Sequence, residues 1–322
     1  MNIKKIGLTA LAGSLVATSA FAGSLSVSGG ASFEVQHVDG GAANAGKAWS
    51  MGNSVTFSGS GELDNGLTVG VSFELDQGAE AGTAGSAGKG PFDSHGLTIS
   101  SDSLGTITFQ GHGGAAAVTA IQDTTGAIWD NSFSATTAPL SASSDNMIAY
   151  SNSNLMDGLS VSLSHVPHGT GEYESSMDWA LKYTGIEGLT LGFGAGEDNA
   201  TKGSQADLTV FYGSYAYGPI TVAYQQTEYD SENTDTAADQ DFVAYSLSYM
   251  ISDELSVSYH VADLSTPNSS SDQDQEVNGV KAAYTMGGMT LSGKMINADN
   301  IGFSSAVTAD QSMWELAASF AF

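Results

Sequence analysis

Apolar and polar residues alternate with a period of two along most of this chain, and the last eleven residues show the pattern clearly. One face of that segment is apolar and ends in aromatic side chains: Trp314, Leu316, Ala318, Phe320 and Phe322. The other face carries the segment's one charged residue, Glu315. A period of two predicts a β-strand whose faces meet different surroundings. About 9–11 residues with one apolar face and aromatic ends suit a strand that crosses a membrane.

Sixteen segments of this kind can be delimited along the chain. We predict strands at 24–38, 50–63, 67–76, 95–100, 106–110, 147–152, 159–166, 177–183, 189–196, 207–217, 220–229, 241–251, 255–263, 276–286, 289–297 and 311–322. Short and long connections alternate strictly between them. An even strand number, with short turns at one end and long loops at the other, predicts an all-β fold, a transmembrane antiparallel β-barrel. The alternative is a secreted β-sandwich or β-solenoid, which need not keep this alternation of connection lengths.

The first 22 residues have a different character. Lys4 and Lys5 precede a short apolar run that closes on Ala20-Phe21-Ala22. A basic start, a short apolar run and an A-x-A end are typical of a secretory signal peptide. We therefore predict that residues 1–22 are cleaved, that the chain is exported, and that residues 23–322 form one barrel domain.

Composition fits an exported barrel and narrows its partners. Hydrophobic residues make up 41% of the chain and the mean hydropathy is −0.05, which is too polar for a helical membrane protein. There is no cysteine and no arginine, and eight lysines stand against 35 acidic residues. Loss of Lys4 and Lys5 leaves a net charge of 6 − 35 = −29.

Nucleic acid is excluded as a partner, because phosphate binding needs clustered Lys and Arg. Solvation of acidic loops accounts for this charge; a potential that favours cations in a channel is the alternative.

The alternation also predicts which charged side chains line the barrel interior. A charge at the bilayer midplane costs about 2–4 kcal/mol for Lys or Arg, so polar faces must meet water. The charged residues on those faces are Lys182, Lys281, Lys294, Glu34, Glu62, Glu74, Asp76, Asp178 and Glu315. Segment 207–217 stays unassigned, because Val210 and Tyr212 lie on one face while Phe211 and Tyr215 lie on the other.

Aromatic residues recur near the predicted short turns. They are Tyr150, Tyr183, Tyr217, Tyr249, Tyr284, Trp314 and Phe322. Because Tyr and Trp prefer the level of the lipid headgroups, we expect these residues to form a girdle at that end of the barrel. The alternative is ordinary β propensity, which also favours aromatic residues.

The longest connection covers residues 111–146, between the fifth and sixth strands. A loop of about 36 residues is uncommon unless it is functional. Its segment 113–121 is rich in alanine and predicts a short helix. Asp123, Asp130 and Asp145 are candidates to present carboxylates to the lumen. Solvation of a surface loop is the alternative role for these three residues.

No group of residues predicts catalysis, so we expect no enzymatic activity and no cofactor. His165 and His168 share a loop entrance and are a candidate metal pair, although loop histidines are usually solvated. The acidic runs 230–235 and 272–276 offer oxygen ligands for Ca²⁺, but neither has the spacing of a calcium-binding helix-loop-helix. Solvated loops are the alternative for both runs.

The chain resembles the sixteen-stranded general porins of Gram-negative outer membranes, especially the α-proteobacterial type. The resemblance rests on the signal peptide, the connection lengths, the long third loop and the C-terminal aromatics. It implies a homotrimer in outer-membrane lipid, a third loop folded into the barrel, and passive diffusion of small hydrophilic solutes and ions. It also implies that Trp314, Phe320 and Phe322 belong to the signal that the barrel-insertion machinery reads.

One departure from that family concerns ion preference. Porins of this kind usually place a cluster of arginines opposite an acidic third loop, and this sequence has no arginine. We therefore hypothesise a preference for cations and neutral solutes. The alternatives are a substrate-specific outer-membrane channel, for which no track of lumen aromatics or paired charges is seen, and a secreted β-rich adhesin or surface protein.

Overall fold

The structure, a computed structural model, describes residues 24–40, 47–76, 92–122, 138–141, 146–167, 174–199, 205–232, 239–267 and 273–322. Several predicted features lie outside these residues: the signal peptide 1–22, the loop acids Asp123, Asp130 and Asp145, His168, and parts of both acidic runs. Within the described part of the chain, no helix is long and apolar enough to cross a membrane.

The sixteen predicted strands are all present, with ends that differ from the prediction by up to four residues. They are β1 Ser24–Gly40, β2 Lys47–Glu62, β3 Thr68–Asp76, β4 Ser94–Ser101, β5 Gly105–His112, β6 Met147–Met156, β7 Leu159–Val166, β8 Ser176–Ile186, β9 Leu189–Asp198, β10 Ala206–Tyr217, β11 Ile220–Ser231, β12 Gln240–Met250, β13 Leu255–Ser265, β14 Gln275–Met286, β15 Met289–Asp299 and β16 Gln311–Ala321. Each strand pairs antiparallel with its neighbour in sequence, and β16 pairs with β1, so the sheet closes. The predicted closed barrel of sixteen strands is confirmed.

The barrel closes at its last residue. The backbone N–H of Gly29 donates to the carbonyl oxygen of Phe322 at 2.8 Å, and the N–H of Phe322 donates back to Gly29 at 3.0 Å. The ring of Phe322 covers Gly29: a Cβ atom at Gly29 would lie 2.8 Å from Cε2 of that ring. The seam between β1 and β16 therefore depends on a glycine beneath the terminal aromatic ring.

The faces of the strands follow the predicted alternation. In β13, Val257 and Tyr259 are exposed on the outer wall, whereas His260 and Ala262 are buried inside. The unassigned strand β10 is also resolved, because Val210 is buried on the inner side and Phe211 is exposed on the outer side. Both faces of β10 are apolar since one meets lipid and the other packs against a loop inside the barrel.

The predicted aromatic girdle is wrong for Trp314. Tyr217, Tyr249 and Tyr284 are exposed near the ends of strands that lead into short turns. Trp314 is the fourth residue of β16, which begins after a long loop, and it pairs with Met295. Eight residues of strand separate Trp314 from Phe322, a rise of about 26 Å. Trp314 therefore lies in the half of the barrel that is nearer the long loops.

Candidate functional site: the barrel lumen

The third loop, between β5 and β6, folds into the barrel. Its described part contains a short 3₁₀ helix, Ala117–Ile121, within the segment where the sequence predicts a helix. Val118 and Ile121 are fully buried against inner-wall side chains of β8, β10 and β11. The inner-wall members of this cluster are Ala180, Leu208, Val210, Tyr212 and Ala223. The loop thus covers one side of the lumen wall and narrows the space that remains.

A row of glycines in β9 makes room for this helix. A Cβ atom at Gly192 would lie 2.8 Å from Cγ2 of Ile121, and one at Gly194 would lie 3.1 Å from its Cδ1. Glycine inside a strand often marks a close approach by another part of the chain. The alternating glycines of the segment Leu191–Gly196 carried this signal in the sequence, and the sequence analysis missed it.

Asp178 lies where the loop meets the wall. The backbone N–H of Ala117 donates to Oγ of Ser164 at 2.8 Å, and that hydroxyl donates to Oδ2 of Asp178 at 3.1 Å. The side chains of Asp178 and Ser141, which belongs to the returning arm of the loop, both occupy the space above Gly196. Asp178 was predicted to line the pore; it faces inward but is only 3% exposed, because the loop covers it. Asp178 therefore accepts a hydrogen bond from the serine that holds the loop and presents almost no surface to the lumen.

One hydrogen bond links the two arms of the third loop. Gln122, at the end of the helix, donates from Nε2 to the carbonyl oxygen of Pro139 at 2.7 Å, which ties the outgoing arm to the returning arm. Lys182 pairs in register with Gly192, so it lies on the wall beside the helix. The described part of the loop is therefore attached to the wall through Ser164 and to its own returning arm through Gln122.

The predicted basic residues of β14 and β15 meet an acid from β16. Lys281 and Lys294 are register partners, and Lys294 in turn is the register partner of Glu315. Nζ of Lys294 lies 3.1 Å from Oε2 of Glu315, and both side chains are largely buried. This ion pair cancels one of the three predicted lumen lysines, which weakens the positive potential on this part of the wall.

The wall formed by β1–β5 has a different chemistry. Glu34 accepts a hydrogen bond from the hydroxyl of Ser50, and Glu74 accepts one from Ser94 at 3.3 Å. The register places hydroxyl side chains around them: Ser32, Ser54, Thr56, Ser58, Ser72 and Thr98. Asp76 and Glu62 share the inner face, with Glu62 beside the short turn that joins β2 to β3. No lysine occurs in β1 or in β3–β6.

A closed barrel with a third loop folded into it can be compared with known protein families. A model of the Gram-negative porin family matches residues 7–292. The chain belongs to this family. Membership implies a channel in the outer membrane, which agrees with the predicted localisation.

Solved structures of porins share the fold of this porin. An anion-selective porin from Comamonas acidovorans is 16% identical, covers 93% of this chain and 99% of its own, and has a TM-score of 0.66. Salmonella typhi OmpF in complex with daunomycin is 14% identical over 94% and 98%, with a TM-score of 0.72. A mutant of the Rh. blastica porin is 17% identical over 93% and 100%, with a TM-score of 0.66. At these identities the likeness shows the fold alone. No curated protein sequence matches this chain significantly.

Among the described residues, no group of three or more His, Asp or Glu side chains could hold a metal ion. The candidate pair His165 and His168 and the two acidic runs fall partly outside those residues.

Proposed function

We propose that this porin is a passive diffusion channel for small hydrophilic solutes and ions, that it prefers cations, and that it catalyses no reaction and needs no cofactor. The observation that carries the proposal is the contrast between two parts of the lumen wall. The third loop and an ion pair occupy one part, whereas hydroxyls, Glu34 and Glu74 line β1–β5. The open path for solutes therefore runs beside carboxylates.

The magnitude of the electrostatic effect is sufficient to set a preference. One carboxylate about 7 Å from a monovalent cation contributes roughly 0.6 kcal/mol at the dielectric constant of water. Several carboxylates beside one narrow path contribute on the order of 1–2 kcal/mol before salt screens them. That range corresponds to a cation preference of roughly five- to thirtyfold at low ionic strength.

The fold by itself does not determine ion preference. A porin that is described as anion-selective shares the fold of this chain. The side chains of the lumen must therefore decide the sign of the selectivity, and this chain offers no arginine to attract anions.

Conductance in planar bilayers tests the passive mechanism. Open-channel conductance is expected to rise in proportion to salt or solute concentration, because a diffusion channel holds no solute tightly. Saturation at low solute concentration would favour a substrate-specific channel instead.

Assembly of the channel forms part of the same proposal. We infer that signal peptide 1–22 directs export, that Trp314, Phe320 and Phe322 are read by the barrel-insertion machinery, and that the mature protein is a homotrimer. Support comes from the family and from the exposure of Phe320 and Phe322 at the end of β16. Cross-linking of the purified protein tests the trimer, with a monomer as the contrary result.

A further inference from the structure

The inner wall of β12–β16 is apolar at the end of the barrel that carries the long loops. Its side chains, all at most 5% exposed, are Phe242, Leu264, Val277, Ile296 and Met313. These positions alternate with outward ones, so they face the lumen and not lipid. Large apolar side chains on the wall of an aqueous channel are unfavourable unless something covers them. The wall therefore needs a cover at this level.

The connection between β15 and β16 supplies part of that cover. Ile301 and Phe303 pack against the apolar wall, and Ala138 from the returning arm of the third loop joins the same cluster. The connection thus folds over the mouth of the lumen instead of standing away from the barrel.

Hydrogen bonds within the connection keep it compact. The backbone N–H of Ile301 donates to the carbonyl oxygen of Ala309 at 3.0 Å. The N–H of Asn300 donates to Oδ1 of Asp310 at 3.1 Å. Phe303 has a φ of 56°, in the left-handed region that non-glycine residues seldom adopt. The compact backbone carries the Phe303 side chain, which packs against the apolar wall.

Two further bonds attach the connection to Gln275, the first residue of β14, and to Asp274, the residue before it. The N–H of Gly302 donates to Oε1 of Gln275 at 2.8 Å, and Nδ2 of Asn300 donates to the carbonyl oxygen of Asp274 at 3.0 Å. Gln275 is itself buried, so its amide is held in place beneath the loop. The cover is anchored across β14 and not only at the two strands that it connects.

We propose that residues 300–310 are a second element that narrows the channel, separate from the third loop. Ile301 and Phe303 close the β12–β16 side of the mouth, so hydrated ions and neutral hydroxylated solutes enter along the β1–β5 wall. There, Ser50, Ser72 and Asp76 remain exposed on the inner face. Ser50 and Asp76 lie at the ends of β2 and β3 that adjoin long loops. This inference rests on the proposed channel function, and it adds a filter for solute width to the preference for charge.

Thiol accessibility tests the cover directly, because the chain has no cysteine. Ser72→Cys places a thiol on the open wall, and Ala298→Cys places one under the cover, where Ala298 is 0% exposed. A cationic methanethiosulfonate reagent is expected to modify Ser72→Cys at least about tenfold faster, since a buried thiol is inaccessible. Equal rates in folded protein would overturn the proposal.

Removal of the cover gives the second arm of the experiment. In the Ala298→Cys background, the pair Ile301→Ala and Phe303→Gly removes both covering side chains, and glycine suits the positive φ. The modification rate is expected to rise about tenfold and single-channel conductance is expected to increase. The matched control, Ser305→Ala with Thr308→Ala, changes two exposed residues of the same loop and should alter neither value. Unchanged accessibility in the first pair would contradict the proposal.

The outcomes separate this inference from the proposed function. Heat-modifiable migration on a denaturing gel establishes that each variant is folded. If the wild type conducts but Ala298→Cys reacts as fast as Ser72→Cys, the cover is refuted and the channel stands. If the wild type does not conduct, the proposed function itself fails, whatever the reaction rates show.

Discussion

At the scale of single residues, two glycines allow close contacts between distant parts of the chain. Gly29 lies beneath the ring of Phe322 where the barrel closes, and Gly192 lies beneath Ile121 where the third loop rests. In each place the contact is possible only because the strand lacks a Cβ atom. Alternation of polar and apolar residues indicates the strand at these positions but does not reveal which distant side chain covers the glycine.

Substitution of Gly29 tests the seam. In Gly29→Ala the new Cβ atom would lie 2.8 Å from both the Phe322 ring and the carbonyl oxygen of Ser54, so we expect a loss of about 1–3 kcal/mol of stability. The control is Gly213→Ala, whose Cβ atom has room, 3.7 Å from the nearest atom. The temperature of the heat-modifiable shift on a gel should fall for Gly29→Ala and stay within a few degrees for the control.

The terminal residue gives an independent check on assembly. Phe322→Ser removes the ring that covers Gly29 and the aromatic end of the chain, so a smaller yield of folded barrel is expected. Phe322→Leu should retain part of the wild-type yield, because its apolar side chain can still cover Gly29. A normal yield of Phe322→Ser would count against the role assigned to this residue.

At the scale of elements, the loops that fold into the barrel explain which strand faces the sequence predicted and which it did not. The strand pattern predicted β13 correctly because its outward residues are apolar, whereas the inward residues Ser256, Ser258 and His260 are polar. It left β10 unassigned, since Val210 packs against the third loop and is as apolar as the outward Phe211. It placed Trp314 at the wrong end, because an aromatic residue on a strand does not report its depth. Ile301 and Phe303, two apolar residues in a loop, were the available signal for the second cover.

The contact between the third loop and β9 can be tested by substitution of Gly192. Gly192→Ala would place a Cβ atom 2.8 Å from Ile121, so the helix must move toward the open part of the lumen. We expect the single-channel conductance to fall by roughly a fifth to a half, since a displaced helix reduces the cross-section of the open path. Gly213→Ala, on the neighbouring strand, should conduct like the wild type. An unchanged conductance of Gly192→Ala would contradict the packing of Ile121 against Gly192.

At the scale of the whole molecule, charge is distributed unevenly around the channel. The Lys294–Glu315 ion pair neutralises part of one wall, and the third loop covers Asp178. Glu34 and Glu74 remain on the hydroxyl-rich wall that faces the open path. The missing arginines led to the hypothesis of cation preference, but the sequence did not show that the third loop covers Asp178. The burial of Asp178 becomes visible only from the position of the third loop in the structure.

The reversal potential in a planar bilayer under a salt gradient tests the central claim most directly. The account predicts cation preference for the wild type, and a two- to fivefold smaller ratio of cation to anion permeability for Glu34→Gln with Glu74→Gln, roughly 0.4–1 kcal/mol. Glu276→Gln, which removes one charge from the outer wall, should keep the wild-type ratio. Anion preference of the wild type, or the same ratio in all three proteins, would contradict the account.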